Sequence, residues 1–149
     1  MEALHRQEFE SFMFAWDDAL KAFHDMSTNQ LDQMTDRHTR EIEDLRLYLE
    51  QSISMQAKPS PEILNMRKIQ SHLSKQKNYT EAEKVQRVVR ELEDKNQLKY
   101  LRMRDERIHT QLTHMQAKHL LEREALVKRI DAAGREQEKA RRVAQQQLL

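Results

Sequence analysis

A single glycine, Gly134, and two prolines, Pro59 and Pro61, are all that 149 residues contain of the two amino acids that most readily end helices and turn chains. Between these points run stretches rich in Glu, Lys, Arg, Gln, Leu and Met, all strong helix formers. A chain with so few places to turn cannot wrap a compact pocket. The expected fold class is therefore all-α: elongated, coiled-coil-like helices with one short antiparallel helical hairpin. The prolines set the divisions, with an N-terminal amphipathic helix over 1–56, a break at 57–61, a hairpin over 62–97 and a long charged helix over 98–149.

The composition fits this reading, because 34% charged, 38% hydrophobic and 5% aromatic residues resemble a long-helix profile more than an ordinary globular one. A net charge of +1 creates no overall field for nucleic acid or an anionic membrane. The charge is nevertheless uneven. Residues 1–25 carry six acids and two bases, a net of −4, whereas residues 63–79 carry four bases and no acid, a net of +4. Opposite patches of this kind steer a partner or a neighbouring copy. Cysteine is absent, which excludes disulfides and thiolate chemistry. No apolar run approaches the ~20 residues that span a bilayer, and MEALHRQEFE lacks the apolar core of a signal peptide. A cytoplasmic, cytoskeletal protein is expected, and the end at QQQLL, in mid-pattern and without a cap, suggests a piece of a longer chain.

Along the first segment an apolar stripe runs through Phe9, Met13, Trp16, Leu20, Phe23, Ser27, Leu31, Met34, His38, Ile42, Leu45, Leu49 and Ile53. From Phe23 the steps repeat as 4-4-3, the eleven-residue pattern of a straight or slightly right-handed seam. Phe12, Phe14 and Trp16 load its N-terminal end so heavily that a covering surface is needed there. After the break, Ser60 is placed to cap a helix with Pro61 in its first position and Glu62 at its positive end. This second helix is expected to run to about Lys77, with Ile63, Met66, Ile69, Gln70 and Leu73 on one face. Asn78 suits a left-handed C-terminal cap, Tyr79 could pack at the bend, and Thr80 with Glu83 reads as a capping box opening a third helix. Ala82, Val85, Val88, Val89 and Leu92 would then oppose the second helix and form the one local core. Beyond Leu92 nothing stops the helix, which would reach about 100 Å at 1.5 Å per residue. Its stripe runs Ile108, Leu112, Met115, His119, Glu122, Leu126, Ile130, Ala133, Gln137, Ala140, Ala144 and Leu148, with a weak point expected at Gly134.

The stretch 64–93, LNMRKIQSHLSKQKNYTEAEKVQRVVRELE, resembles a UVR-type helical hairpin through Leu73, Tyr79, Glu81, Ala82, Val85 and Leu92, with Val85-Gln86-Arg87 where that motif usually has Leu-Arg-Asp. The resemblance implies an adaptor or nucleic-acid-binding helical module, as in bacterial excision-repair proteins and Clp adaptors. The same region is similar to large coiled-coil proteins of flagellated and ciliated protists, through Met66-Arg67-Lys68, Leu73, Lys75-Gln76-Lys77, Tyr79 and Glu81-Ala82. That similarity implies a cytoskeletal setting such as a flagellum, cilium or basal body.

Candidate sites follow from these stripes. Phe9, Phe12, Trp16, Leu20 and Phe23 form the expected N-terminal docking patch, and Leu112, Met115, Leu126 and Ile130 the distal seam. Partner helices would be gripped knobs-into-holes, in a homodimer or a larger cytoskeletal assembly. Arg67, Lys68, Lys75 and Lys77 present either a solvated face or a contact for an acidic protein partner. With only Tyr79 to stack on bases, nucleic acid is poorly served. Ser60-Pro61 is a candidate phosphorylation site as well as an N-cap. Two Glu-x-x-His pairs, Glu2/His5 and Glu106/His109, lack the further inward carboxylates of a di-metal bundle. His109, His114 and His119, spaced by five, scatter around a helix, while His38 and His119 fall on the seams. There is no glycine-flanked serine and no glycine-rich loop. The expectation is a non-enzymatic chain with no catalytic residue, no metal and no cofactor.

Overall fold

The computed structural model describes residues 1–148, which form three α-helices: α1 (Glu2–Ser52), α2 (Pro61–Lys75) and α3 (Tyr79–Leu148). No strand occurs among the described residues, so the chain is all-α. It divides into two compact units, one made of Met1–Glu43 with α3 from Met115 onward, the other of Asp44–His114.

In the first unit α1 and α3 run antiparallel. Arg141 meets Met13, Gly134 meets Phe23, Arg123 meets Thr35 and His119 meets Glu41, so the numbering rises along one helix as it falls along the other. Met13, Trp16, Phe23, Ser27, Leu31, Met34, His38 and Ile42 turn inward, as the 4-4-3 spacing predicts. Phe9 and Leu20 depart from the stripe and remain 38% and 49% exposed. Opposite Leu20, α3 offers Gln137, which cannot cover a large apolar side chain, while Phe9 borders an open groove with Leu148. Gln137, on that part of the seam, buries its Oε1 without a hydrogen-bond partner.

The α3 stripe follows expectation through Met115, His119, Glu122, Leu126 and Ile130, then passes over Gly134 and Arg141 instead of Ala133 and Ala140. Phe23 supplies the reason. A Cβ built on Gly134 would lie 3.6 Å from Phe23 Cε1 and 3.8 Å from its Cζ, so the glycine faces the seam and the ring rests against it. The helix runs unbroken through Gly134, and the expected weak point is no interruption.

This pairing corrects a central expectation. The long stripes were expected to need a partner from outside, yet α1 and α3 cover each other within one chain. The charges favour this orientation. The first 25 residues, net −4, belong to the same unit as residues 128–142, whose six bases and three acids give +3. The short hairpin is thus not the only core.

In the second unit, Ile63 is 2% exposed and Ala82 and Val89 are buried too, while Met66, Leu73, Val85 and Leu92 are half-buried. Val88 and Ile69 lie outside this core and are exposed. Ser60 has φ −68° and ψ 158°, and its Oγ accepts the Ile63 N–H at 3.2 Å, the N-cap that the sequence predicts. The turn differs from expectation. α2 ends at Lys75, and Lys77, not Asn78, takes the left-handed conformation with φ 61°. The Asn78 N–H donates to Leu73 O at 2.9 Å and the Lys77 N–H to Ser74 O at 3.1 Å, the paired bonds of a Schellman turn. α3 then begins at Tyr79, with Asn78 O accepting the Ala82 N–H at 3.0 Å. Thr80 therefore lies inside the first turn and forms no capping box, and Glu83 instead sits 3.6 Å from Arg87. Tyr79 does not pack at the bend but is 66% exposed.

Candidate functional site

The expected N-terminal patch is divided by the pairing of α1 with α3. Phe12, Trp16 and Phe23 are half-buried, and the Phe12 and Trp16 rings lie 6.1 Å apart, tilted by 56°. Phe9 and Leu20 stay exposed on its margin. Phe14, which the stripe does not include, is 77% exposed. At 100° per residue Phe9, Phe12, Trp16 and Phe23 share an arc of about 60° while Phe14 points to the opposite side, where a single helix covering that arc cannot reach it. Met1, Leu4, His5, Phe9 and Leu148 line an open groove beside it. Of the distal seam residues, Met115, Leu126 and Ile130 are half-buried in the first unit and Leu112 in the second. They serve the chain's own pairing.

On the hairpin, Arg67 forms an ion pair with Glu93 at 2.8 Å. Lys68, Lys75 and Lys77 are exposed, as is Leu64. The basic face predicted from the sequence is thus present, apart from the one arginine that is engaged within the unit.

Two polar constellations occupy the seams themselves. In the first unit His38 and His119 stack face to face, with centroids 3.8 Å apart and planes 4° from parallel. The sequence places both on the apolar stripes, but not against each other. His38 Nε2 lies 3.1 Å from Glu122 Oε2, and His119 Nε2 lies 2.9 Å from Glu41 Oε2. An ionised carboxylate only accepts, so each Nε2 carries the hydrogen. Both helices present the same His-x-x-Glu spacing, His38/Glu41 and His119/Glu122, and each histidine reaches across to the glutamate of the other. Arg37 joins the two by donating to Glu122 and, at 2.9 Å, to Glu41. Hydrogen bonds from His119 and then Arg37 hold the Glu41 carboxyl below its ordinary value. Those from Arg37 and then His38 do the same for Glu122. Exposed ion pairs contribute little energy singly. What this network supplies is register, since displacement along the seam breaks several bonds together.

In the second unit, α3 holds the non-helical segment that follows α1. Arg104, buried, donates through Nη2 to Glu50 O at 2.9 Å and through Nε to Ile53 O at 3.1 Å, so a cation caps the negative end of α1. Tyr100 Oη donates to Ser54 O at 2.5 Å, Gln97 Nε2 to Met55 O at 2.7 Å and Asn96 Nδ2 to Lys58 O at 3.1 Å. Gln97 Oε1 in turn accepts the Ala57 N–H at 3.0 Å. Reading the sequence as stripes misses this cradle, because polar side chains at 96, 97, 100 and 104 look like a solvated face. Their spacing of three and four between Leu92 and Ile108, on the line of the seam, is the signal that could have located it.

Among the described residues, no group of three His, Cys, Asp or Glu is arranged to hold a metal ion, and no helix is long and apolar enough to cross a membrane. Glu2, His5, Glu106 and His109 are all exposed. No family model, curated protein or solved structure matches the chain.

Proposed function

We propose that this chain is a non-enzymatic scaffold that brings proteins together through helix–helix contacts. One observation carries the reading: Phe14, on the side of α1 away from α3, remains 77% exposed, with Leu4, Phe9 and Leu20 also exposed on the neighbouring turns. A single exposed apolar side chain is ordinary, but several on adjoining turns of an acidic helix offer a surface that a partner can cover. The finer proposal, a cytoskeletal role in a flagellum, cilium or basal body, rests on the hairpin's resemblance to protist coiled-coil proteins. The test is to express the tagged chain in flagellated cells, extract with detergent, and analyse the insoluble fraction by cross-linking mass spectrometry. Retention with cross-links from residues 1–25 to another polypeptide is expected, and Phe14→Glu should lose both. A wild-type chain that extracts completely and carries only internal cross-links would refute the scaffold reading.

A second reading, a UVR-like adaptor or nucleic-acid-binding module, draws support from the closed hairpin with Lys68, Lys75 and Lys77 exposed. Binding to plain duplex or single strands with a steep salt slope would favour it.

A further inference from the structure

The outward faces of α1 and α2 carry matched patterns. On α1, Phe14, Asp18 and Asp25 stand at i, i+4 and i+11, within about 40° of one another around the helix, and all three are exposed. On α2, Leu64, Lys68 and Lys75 repeat the same spacing with opposite charge, and they too are exposed. Phe14 is 77% and Leu64 48% exposed, and none of the four charged groups takes part in an ion pair described above. Between the charges, Lys21 of α1 falls at the place where α2 has Ser71, so no like charges meet. Residues 63–79 carry +4 and residues 1–25 carry −4, the latter partly offset by the +3 of residues 128–142 in the same unit.

We propose that copies of this chain bind one another through these two faces, α1 of one copy lying parallel to α2 of the next. Phe14 then meets Leu64, Asp18 meets Lys68 and Asp25 meets Lys75. The order of apolar, charged and charged positions is the same on both helices, which selects the parallel arrangement. Reversing one helix would set each apolar residue against a charge. The contact joins two different surfaces, so every copy keeps one face of each kind for another copy, and assembly proceeds by successive addition unless the set closes into a ring. This inference rests on the scaffold reading and supplies its self-contact.

Sedimentation velocity over a concentration series tests it on the full chain. The weight-average mass should rise with concentration at low salt and fall back as salt screens the exposed pairs. Asp18→Lys with Asp25→Lys, and separately Lys68→Glu with Lys75→Glu, should each weaken self-association about tenfold or more, because attraction becomes repulsion at two pairs. Mixed one to one, the two variants should regain association, since the unaltered faces pair with each other and so do the two charge-reversed faces, so the copies add in alternation. The fourfold charge swap in a single chain should restore association to the wild-type level. Unchanged helical circular dichroism in each variant guards against misfolding. A wild-type chain that is monomeric throughout, variants that assemble like wild type, or a mixture that stays monomeric would overturn the proposal. If the purified chain is monomeric while the cellular chain remains cross-linked to other proteins, self-contact fails and the scaffold reading stands.

Discussion

Replacing Gly134 with alanine should stabilise the first unit, against the usual rule that substitutions in a packed seam do harm. Glycine in a helix interior is about 1 kcal/mol less favourable than alanine, because the unfolded chain has more freedom to lose. That term alone favours the variant. The remaining question is whether the added methyl fits. Its position is 3.6 Å from Phe23 Cε1 and 3.8 Å from Cζ, ordinary contact distances that require no movement of the ring. Each such contact adds about 0.1–0.2 kcal/mol of dispersion, so packing reinforces propensity and the sum stays near 1 kcal/mol. For a chain of this length that corresponds to a rise of roughly 2–4 °C in melting temperature. Denaturation followed by helical circular dichroism, with hydrogen exchange over residues 115–148 to localise the gain, measures it. Gly134→Val should reverse the sign, because branching at Cβ drives a methyl into the ring. A fall in stability for Gly134→Ala, or the same gain from valine, would mean that Phe23 does not rest where it is described and that the seam does not pass over residue 134.

Three further perturbations probe other elements. Lys77→Gly should stabilise the hairpin by about 1 kcal/mol in denaturant melts, since φ 61° strains a side chain but not glycine. Arg104→Met should cost about 2 kcal/mol, the scale of a lost charged hydrogen bond at a buried site, and limited proteolysis should then cut preferentially within 53–60. For Glu41 and Glu122, whose folded values lie below the ordinary 4.5, the stabilisation is present above pH 4.5 and is lost as pH falls through the lowered folded values. Melting temperature should therefore decline below about pH 4.5, and Glu41→Gln with Glu122→Gln should flatten that decline.

The sequence made the helices and the α1 stripe legible because both depend on short-range spacing. Ser60 and Pro61 announce a helix start through local chemistry alone, and residues 23–53 keep a regular 4-4-3 rhythm that is apolar except at Ser27 and His38. What escaped depends on the opposing helix. Ala133 is more apolar than Gly134, so a reading of one helix prefers it, yet the face is chosen by Phe23. At the turn, Asn78 is the better left-handed residue by propensity, but the Schellman bonds require the reversal one residue earlier, at Lys77. Thr80 and Glu83 have the spacing of a capping box, but Asn78 already opens α3. The divided docking patch has the same origin. Phe9 through Phe23 read as one surface until α3, with its basic C-terminal third, takes the inward half of it and leaves Phe14 in water.

Asn96, Gln97, Tyr100 and Arg104 grip main-chain oxygens, which every amino acid supplies alike. The instructions for the path of 53–58 are therefore written in the neighbouring helix rather than in the loop. Divergence should fall in an unusual place as a result: the loop's own letters can drift, while four polar letters inside a regular helix stay put.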